Sequence, residues 1–179
     1  MNLTQNDRLN QVTADTLIVG VDIGSATHFA RCFDWRGYEF SKRVFRFSNT
    51  QVGFLTFIRW VEEMMKKTEK TKVIVGCEPT GCYWLTFQKF LKDRDILLVT
   101  VNPYSVKKCK ELDDNSPEKS DLKDPKTIAG LVREGRYSTS YLPEGVYAEI
   151  REAQVCRDQI MKQHVRLSNQ IQGWLQKYF

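Results

Sequence analysis

Residues 19–28 read VGVDIGSATH and decide the fold of this 179-residue chain. The apolar run over residues 17–23 is typical of a buried strand, and it carries one carboxylate, Asp22. Gly24 and the small residues after it turn the chain, and a second strand-like run follows at residues 27–33. Burying a charged carboxylate is costly unless another group compensates its charge. The sequence therefore raises the question of which group Asp22 faces.

The pattern downstream predicts an α/β fold, a mixed five-stranded sheet with helices on both faces. A turn at residues 34–37 leads into an alternating run at 40–47, so the first three strands form an antiparallel meander. Two helix–strand pairs follow, which is the order of parallel strands joined by crossover helices. These later elements are a helix that begins at residues 49–50, a strand over 72–77, a helix over 83–92 and a strand over 96–101.

The domain organisation follows from this pattern. Residues 1–16 are polar and are predicted to be a disordered arm, and the α/β domain covers residues 17–137. Its last part contains a short basic helix over 103–112 and a further helix that opens within 119–125. Residues 138–145 are predicted to be a linker.

Residues 146–179 carry a heptad pattern, which predicts the start of a coiled-coil helix. Its apolar positions, such as Ile150, Ile160 and Ile171, recur at alternating steps of four and three. Arg157 and His164 interrupt the seam, and polar residues there usually set register or partner number. We expect this helix to pair with a copy of itself, as a homodimer or higher oligomer. The helical pattern runs to the last residue, so we expect a longer parent protein.

Composition and charge are those of an ordinary folded domain, with 41% hydrophobic and 27% charged residues. The formal net charge of +5 permits a polyanionic partner but does not establish one. The five cysteines have no CxxC spacing, which argues against a zinc site and for reduced thiols. The sequence shows no signal peptide or transmembrane run, so we expect a cytoplasmic protein without a membrane partner.

Four carboxylates are the candidate catalytic and metal-binding residues: Asp22, Glu78, Asp121 and Asp124. Carboxylates that are held together repel one another unless a cation neutralises them, and Mg²⁺ or Mn²⁺ suits an all-oxygen site. Such ions activate a nucleophile and stabilise a leaving oxygen in phosphodiester chemistry. Structural roles are equally open for each residue. Asp22 fits a turn and Glu78 a surface strand end, and Asp121 and Asp124 fit helix caps, with Pro125 at the first helical position after Asp124.

The same residues carry a resemblance to a known family. The segments VGVDIG at 19–24, GCEPTG at 76–81, VNP at 101–103 and KSDLKD at 119–124 resemble, in this order, motifs of the DEDD insertion-sequence transposases related to the Piv/MooV DNA invertases. The resemblance extends from about residue 17 into the heptad helix. It implies a RuvC-like domain with an RNase H-like fold, in which Asp22, Glu78, Asp121 and Asp124 bind Mg²⁺ or Mn²⁺. Pro125 stands where the family often has alanine.

The resemblance also implies a function. Members of this family look like recombinases that cut and rejoin DNA strands, guided in at least some cases by a structured RNA. They carry a further domain with a nucleophilic serine, joined through a coiled coil. No segment of this sequence resembles that serine domain, so we expect metal and nucleic-acid binding from this part alone and little recombination.

Basic residues surround the acidic motif and are candidate nucleic-acid contacts beside the metal site. They are Lys107, Lys108, Lys119, Lys123, Lys126, Arg133 and Arg136, with Lys110 in the same basic helix. Acidic residues lie among them, so a solvated surface is an equally open interpretation. Tyr83, Trp84 and Phe87 are spaced to stack on bases, but this spacing favours a core position.

Two other function classes remain open at this point. An actin-like ATPase or sugar kinase also has an Asp-x-Gly loop before a hairpin, but it needs a second phosphate loop and more glycine than this chain has. A non-catalytic RNA-binding dimerisation module would use the carboxylates as caps and the heptads for pairing. Binding of Mg²⁺ or Mn²⁺ through Asp22 and Asp124 favours the transposase hypothesis, and ATP binding favours the kinase hypothesis.

Overall fold

The computed structural model describes residues 3–41, 43–79, 81–113, 124–139, 141 and 143–178. The chain divides into two compact units, Met1–Ser140 and Tyr141–Phe179. The strands of the first unit are β1 (Thr16–Asp22), β2 (Thr27–Phe33), β3 (Phe45–Ser48), β4 (Lys72–Cys77), β5 (Leu97–Thr100) and β6 (Ser138–Thr139). Its helices are α1 (Gln5–Gln11), α2 (Gln51–Thr68), α3 (Tyr83–Lys92), α4 (Pro103–Asp113) and α5 (Asp124–Arg133).

The described strands form one mixed sheet in the order β3-β2-β1-β4-β5-β6. β1, β2 and β3 are antiparallel, whereas β1, β4 and β5 run parallel. A central first strand with a meander on one side and parallel strands on the other is the RNase H-like arrangement, so the predicted fold class is confirmed. The sequence predicted five strands; the sixth, β6, has two exposed residues and pairs antiparallel with β5.

The third strand is shorter than predicted, because it begins at Phe45 rather than at residue 40. Residues 38–41 instead bond to the end of β2: Phe40 N donates to Cys32 O, and Cys32 N donates to the Ser41 hydroxyl. Those contacts satisfy backbone groups of this segment without a regular ladder.

A hydrophobic core covers each face of the sheet. Odd-numbered residues of β1 pack against α2 and α3, where Phe57 and Phe87 are fully buried. Even-numbered Ile18 of β1 and Ile74 of β4 pack against α5 through Ile128 and its neighbours. The strands therefore bury both faces, which explains their nearly continuous apolar sequence.

The amino-terminal segment forms helix α1 where the sequence predicted a disordered arm over residues 1–16. Thr4 and Asp7 make a capping box at its start. Gln5 Nε2 donates to Glu134 O, and the Tyr137 hydroxyl donates to Arg8 O at 3.1 Å. These contacts join α1 to the segment that follows α5, and none of them is visible in local sequence.

The second unit contains helix α6 (Val146–Tyr178), 33 residues without a buried side chain. A long helix was predicted here, and its pairing with a second copy stays a prediction. No helix within the described residues combines the length and apolar composition needed to cross a membrane.

Candidate functional site

Asp22 and Glu78 lie at the same edge of the sheet. Asp22 is the last residue of β1, and Glu78 directly follows Cys77, the last residue of β4. The two strands are parallel neighbours whose register pairs Val21 with Cys77. Adjacent strands are about 4.8 Å apart, so the chain leaves the sheet at Asp22 and Glu78 side by side. Both residues are partly buried.

Strand alternation assigns both acidic residues to the face that α5 covers. Gly20 of β1 and Gly76 of β4 are register partners, and both lie directly under α5. Asp22 and Glu78 each follow one of these glycines by two positions. Residues two apart on a strand share a face, so Asp22 faces the α5 side of the sheet, and we infer the same face for Glu78, one residue past the end of β4.

Asp124 is the first residue of α5, at the same end of that face. α5 lies so close to Gly20 that an added Cβ would overlap the carbonyl oxygen of Pro125. This contact sets the first turn of α5 over β1, two residues before Asp22. The fold thus brings Asp22, Glu78 and Asp124 to one edge and one face of the sheet.

Asp124 is buried and forms an ion pair with Lys110 of α4. Only 6% of the residue is exposed, and Lys110 Nζ lies 2.5 Å from its Oδ1 atom. This buried oxygen has no hydrogen bond of regular geometry to the described residues, so the lysine compensates it mainly by charge. Residues 110 and 124 flank the stretch 114–123, whose structure is not described. α4 and α5 therefore meet at this pair.

The donor chemistry of this edge fits a hard divalent cation. Asp22, Glu78 and Asp124 offer only carboxylate oxygens, the ligands that Mg²⁺ and Mn²⁺ prefer, and the buried Asp124 Oδ1 atom, which has no regular hydrogen bond to a described residue, already lies against the positive charge of Lys110. Within the described ranges, no group of three or more His, Cys, Asp or Glu residues is close enough to hold a metal ion. The fourth predicted ligand, Asp121, lies outside the described residues.

One family of known proteins matches nearly the whole chain. The sequence model of the DEDD transposases of the IS110 type, described as transposase, matches residues 19–179. The chain belongs to this family. The resemblance found in the sequence motifs is thereby confirmed. No curated protein matches the chain.

Solved structures match part of this chain at low sequence identity, among them the following three. RuvC from T. thermophilus in complex with a Holliday junction substrate is 14% identical, with a TM-score of 0.44, and the match covers 70% of this chain and 99% of RuvC. A second Thermus thermophilus RuvC structure has a TM-score of 0.40 at 14% identity, covering 69% and 99%. The ethanolamine utilization protein EutJ from Carboxydothermus hydrogenoformans has a TM-score of 0.34 at 19% identity, covering 62% of this chain and 49% of EutJ.

The predicted nucleic-acid contacts of the transposase chain separate into two places. Lys107 and Lys108 are exposed on α4, and Lys126 is exposed in the first turn of α5, so these three lie on the elements that meet at Asp124. Lys119 and Lys123 lie outside the described residues.

Arg133 and Arg136 do not lie beside the carboxylates, contrary to the prediction. Arg133 is the last residue of α5, and nine residues of helix carry it about 13 Å from Asp124. Its Nη1 atom donates to the Arg36 carbonyl oxygen, in the turn after β2. Closeness to Asp124 in the sequence was therefore misleading for these two arginines.

Two of the three aromatic residues considered for base stacking belong to the core. Trp84 is 7% exposed and Phe87 is fully buried, whereas Tyr83 is 44% exposed. His28 is also fully buried, and its ring packs against Phe47, Phe54 and Phe87. Burial lowers the pKa of His28, and its interaction with Asn49 offsets this only in part.

One buried thiol, Cys77, adjoins the acidic edge without joining it. Burial, reinforced by the charge of Glu78, raises the pKa of Cys77 to about 12, so this thiol stays protonated at neutral pH. Cys77 belongs to the opposite face, with the core under α2 and α3. It is therefore a packing residue and not a thiolate ligand.

Proposed function

We propose that this chain is the metal-binding and nucleic-acid-contacting part of a transposase that cuts and rejoins DNA strands. The observation that carries the proposal is the common edge and face of Asp22, Glu78 and Asp124, residues that map to the acidic motifs of the family. Structural caps have no reason to gather at one end of one sheet face. Family membership also favours this hypothesis over the ATPase and the non-catalytic module.

Asp22, Glu78 and Asp124, with Asp121, would hold Mg²⁺ or Mn²⁺. In phosphodiester chemistry such an ion activates the attacking oxygen and stabilises the leaving oxygen. Asp22 and Glu78 contribute rigid positions, because Asp22 ends β1 and Glu78 directly follows the last residue of β4, both strands in the middle of the sheet. Asp124 contributes a buried carboxylate on a helix that two glycines hold against the sheet. Lys110 keeps that carboxylate neutralised when no cation is bound.

The partners belong to the same proposal. Lys107, Lys108 and Lys126, with Lys119 and Lys123, would contact DNA phosphates near the carboxylates and fix the register of the backbone. By resemblance to the family, a structured guide RNA selects the DNA, and a serine domain completes the active centre in the cytoplasm. α6 supports self-association, because apolar side chains such as Ile160, 59% exposed, follow its heptad seam.

Calorimetric titration with Mn²⁺ tests the metal site. We expect Asp22→Asn and Asp124→Asn each to weaken binding by more than about tenfold, the loss that even outer partners of metal ligands cause. Glu111→Gln is the matched control, because Glu111 is an exposed acid of α4 paired with Lys108 at 2.8 Å. The three variants should keep their circular dichroism spectra. Unchanged Mn²⁺ affinity in both aspartate variants would remove the basis of the proposal.

A further inference from the structure

A second surface of the chain presents aromatic rings beside arginines, in the turn between β2 and the following loop. Trp35 is 47% exposed and Tyr38 is 65% exposed. The Arg36 side chain between them is 69% exposed, and its guanidinium carbon lies 5.9 Å from the centre of the Trp35 ring. Exposed large aromatics in one short turn are a feature of binding surfaces.

A buried carboxylate makes this turn rigid. Asp34 is 2% exposed, and its Oδ1 atom accepts hydrogen bonds from the backbone amides of Arg36 and Tyr38 at 2.8 and 2.7 Å. Its Oδ2 atom accepts from Arg36 Nε at 3.0 Å. Burial alone would raise the pKa of Asp34, but these hydrogen bonds together lower it. The carboxylate is thus ionised at neutral pH, and it is occupied in holding the turn.

The end of α5 braces the same turn and adds positive charge. Arg133 Nη1 donates to Arg36 O at 3.1 Å and packs over Gly37, whose φ of +94° and missing side chain allow this approach. Glu134 links Arg133 to Arg136, with N–O distances of 3.8 and 3.3 Å. We call Trp35, Arg36, Tyr38, Arg133 and Arg136 the turn surface. Its three arginines stand against two carboxylates, the exposed Glu134 and the buried Asp34 that binds Arg36, so the positive charge is in excess.

The turn surface lies at the opposite edge of the sheet from the carboxylates. Phe33 at the end of β2 pairs with Ile18, whereas Asp22 pairs with Phe29. Ile18 and Asp22 are four residue steps apart on an extended strand, which is about 13 Å. A ligand of the turn surface is therefore not held by the carboxylate edge.

We propose that the turn surface binds an unpaired stretch of nucleic acid, with bases stacked on Trp35 and Tyr38 and phosphates on the three arginines. Aromatic stacking requires a base whose face is free, which a single strand offers and a duplex hides. The arginines match the negative backbone, and the pre-formed turn spares the cost of ordering the rings. The inference rests on the proposed function for the presence of nucleic acid, but it uses none of the metal ligands.

Fluorescence anisotropy with three labelled probes tests this inference: oligo-dT, oligo-U and a DNA duplex of equal length. Trp35→Ala and Tyr38→Ala should each weaken single-strand binding at least about fivefold, the lower range for loss of one stacked base, and leave duplex binding unchanged. Trp35→Phe should retain most of the affinity. Arg136→Gln should weaken binding and reduce its salt dependence. Tyr141→Ala is the control, because Tyr141 is 78% exposed outside the turn surface.

The outcomes separate this inference from the proposed function. Preference for the dT or the U probe identifies the bound strand as DNA or RNA, and either result supports the inference. Equal losses for duplex and single strand, or single-strand binding unaffected by Trp35→Ala and Tyr38→Ala, would overturn it. Mn²⁺ titration of the same variants should match that of the unaltered chain. A negative result for nucleic-acid binding at the turn surface therefore does not contradict the metal site, and a negative result for Mn²⁺ binding does not contradict the turn surface.

Discussion

Replacing Lys110 by methionine removes the charge that compensates the buried Asp124. Methionine keeps most of the length and apolar packing of the lysine stem but carries no ammonium group. Asp124 is 6% exposed, and 32% of the Lys110 side chain is exposed, so the pair is partly buried. After this substitution, the Asp124 carboxylate has no ion pair with a residue that the structure describes.

The expected cost lies between two known limits. Exposed ion pairs contribute about 0–1 kcal/mol, whereas removing one member of a fully buried pair costs about 3–5 kcal/mol. The partial exposure of Lys110 places this pair near 2 kcal/mol, or about 4–8 °C in the melting temperature of a chain of this size. Lys108→Met, two residues away in the same helix, removes the exposed pair with Glu111 and should cost no more than about 0.5 kcal/mol.

Urea denaturation of four proteins measures this interaction: the unaltered chain, Lys110→Met, Asp124→Asn and the double variant. The double-mutant cycle should give a coupling of about 1.5–2 kcal/mol, because Lys110 loses its effect once Asp124 is neutral. Saturating Mn²⁺ should restore much of the stability of Lys110→Met, since the cation supplies the missing charge. A loss equal to that of Lys108→Met, or a coupling near zero, would refute the assignment of Lys110 as the counter-charge.

Three further perturbations test packing, titration and assembly. Gly20→Ala should lower the free energy of unfolding by about 3 kcal/mol or more in urea denaturation, because the new Cβ overlaps the backbone of α5. His28→Phe should flatten the loss of stability in acid. Because the pKa of His28 is lower in the folded chain than in the unfolded chain, its contribution to the free energy of unfolding is fully present above about pH 6.5. Below that pH the contribution falls by up to about 1.4 kcal/mol per pH unit. Leu167→Glu should shift α6-dependent self-association to higher concentration in sedimentation equilibrium, because Leu167 is a seam position of the heptads.

Each of these perturbations has a control within the chain. Gly130→Ala lies in open space on α5 and should stabilise the chain by about 0.5–1 kcal/mol. Phe57→Leu changes a buried, non-titrating ring of the same core as His28 and should lower the free energy of unfolding by a similar amount at every pH. Asn169→Glu adds the same charge off the seam and should leave self-association intact. If a control changes stability, its pH dependence or self-association in the same way as the variant it is matched to, the structural reason given for that variant is wrong.

The sheet was predictable because its signals are local. Apolar runs of strand length and helical periodicity between them are enough to order the first five strands and the helices that connect them. The two-residue strand β6 carries no such signal, since Ser138 and Thr139 are both exposed and their only structural feature is pairing with β5. The capped helix α1 likewise depends on contacts with the distant Glu134 and Tyr137.

The candidate site was predictable in its residue types but not in its surroundings. Family motifs single out Asp22, Glu78 and Asp124, whereas Gly20 and Gly76 matter only because they are register partners under α5. In the sequence, one glycine in each of two buried strands was the available signal that a helix packs closely against the sheet. The side-chain network of the turn surface was not predictable, because it depends on a helix end reaching a turn 97 residues earlier in the sequence.

The central claim is that Asp22, Glu78 and Asp124 share one divalent cation site. Crystals of the chain soaked in Mn²⁺ and measured at the manganese absorption edge test it directly. We predict an anomalous peak within coordination distance of all three carboxylates, with Lys110 displaced from Asp124. An anomalous peak away from this edge, or none at a Mn²⁺ concentration that saturates binding in solution, would contradict it.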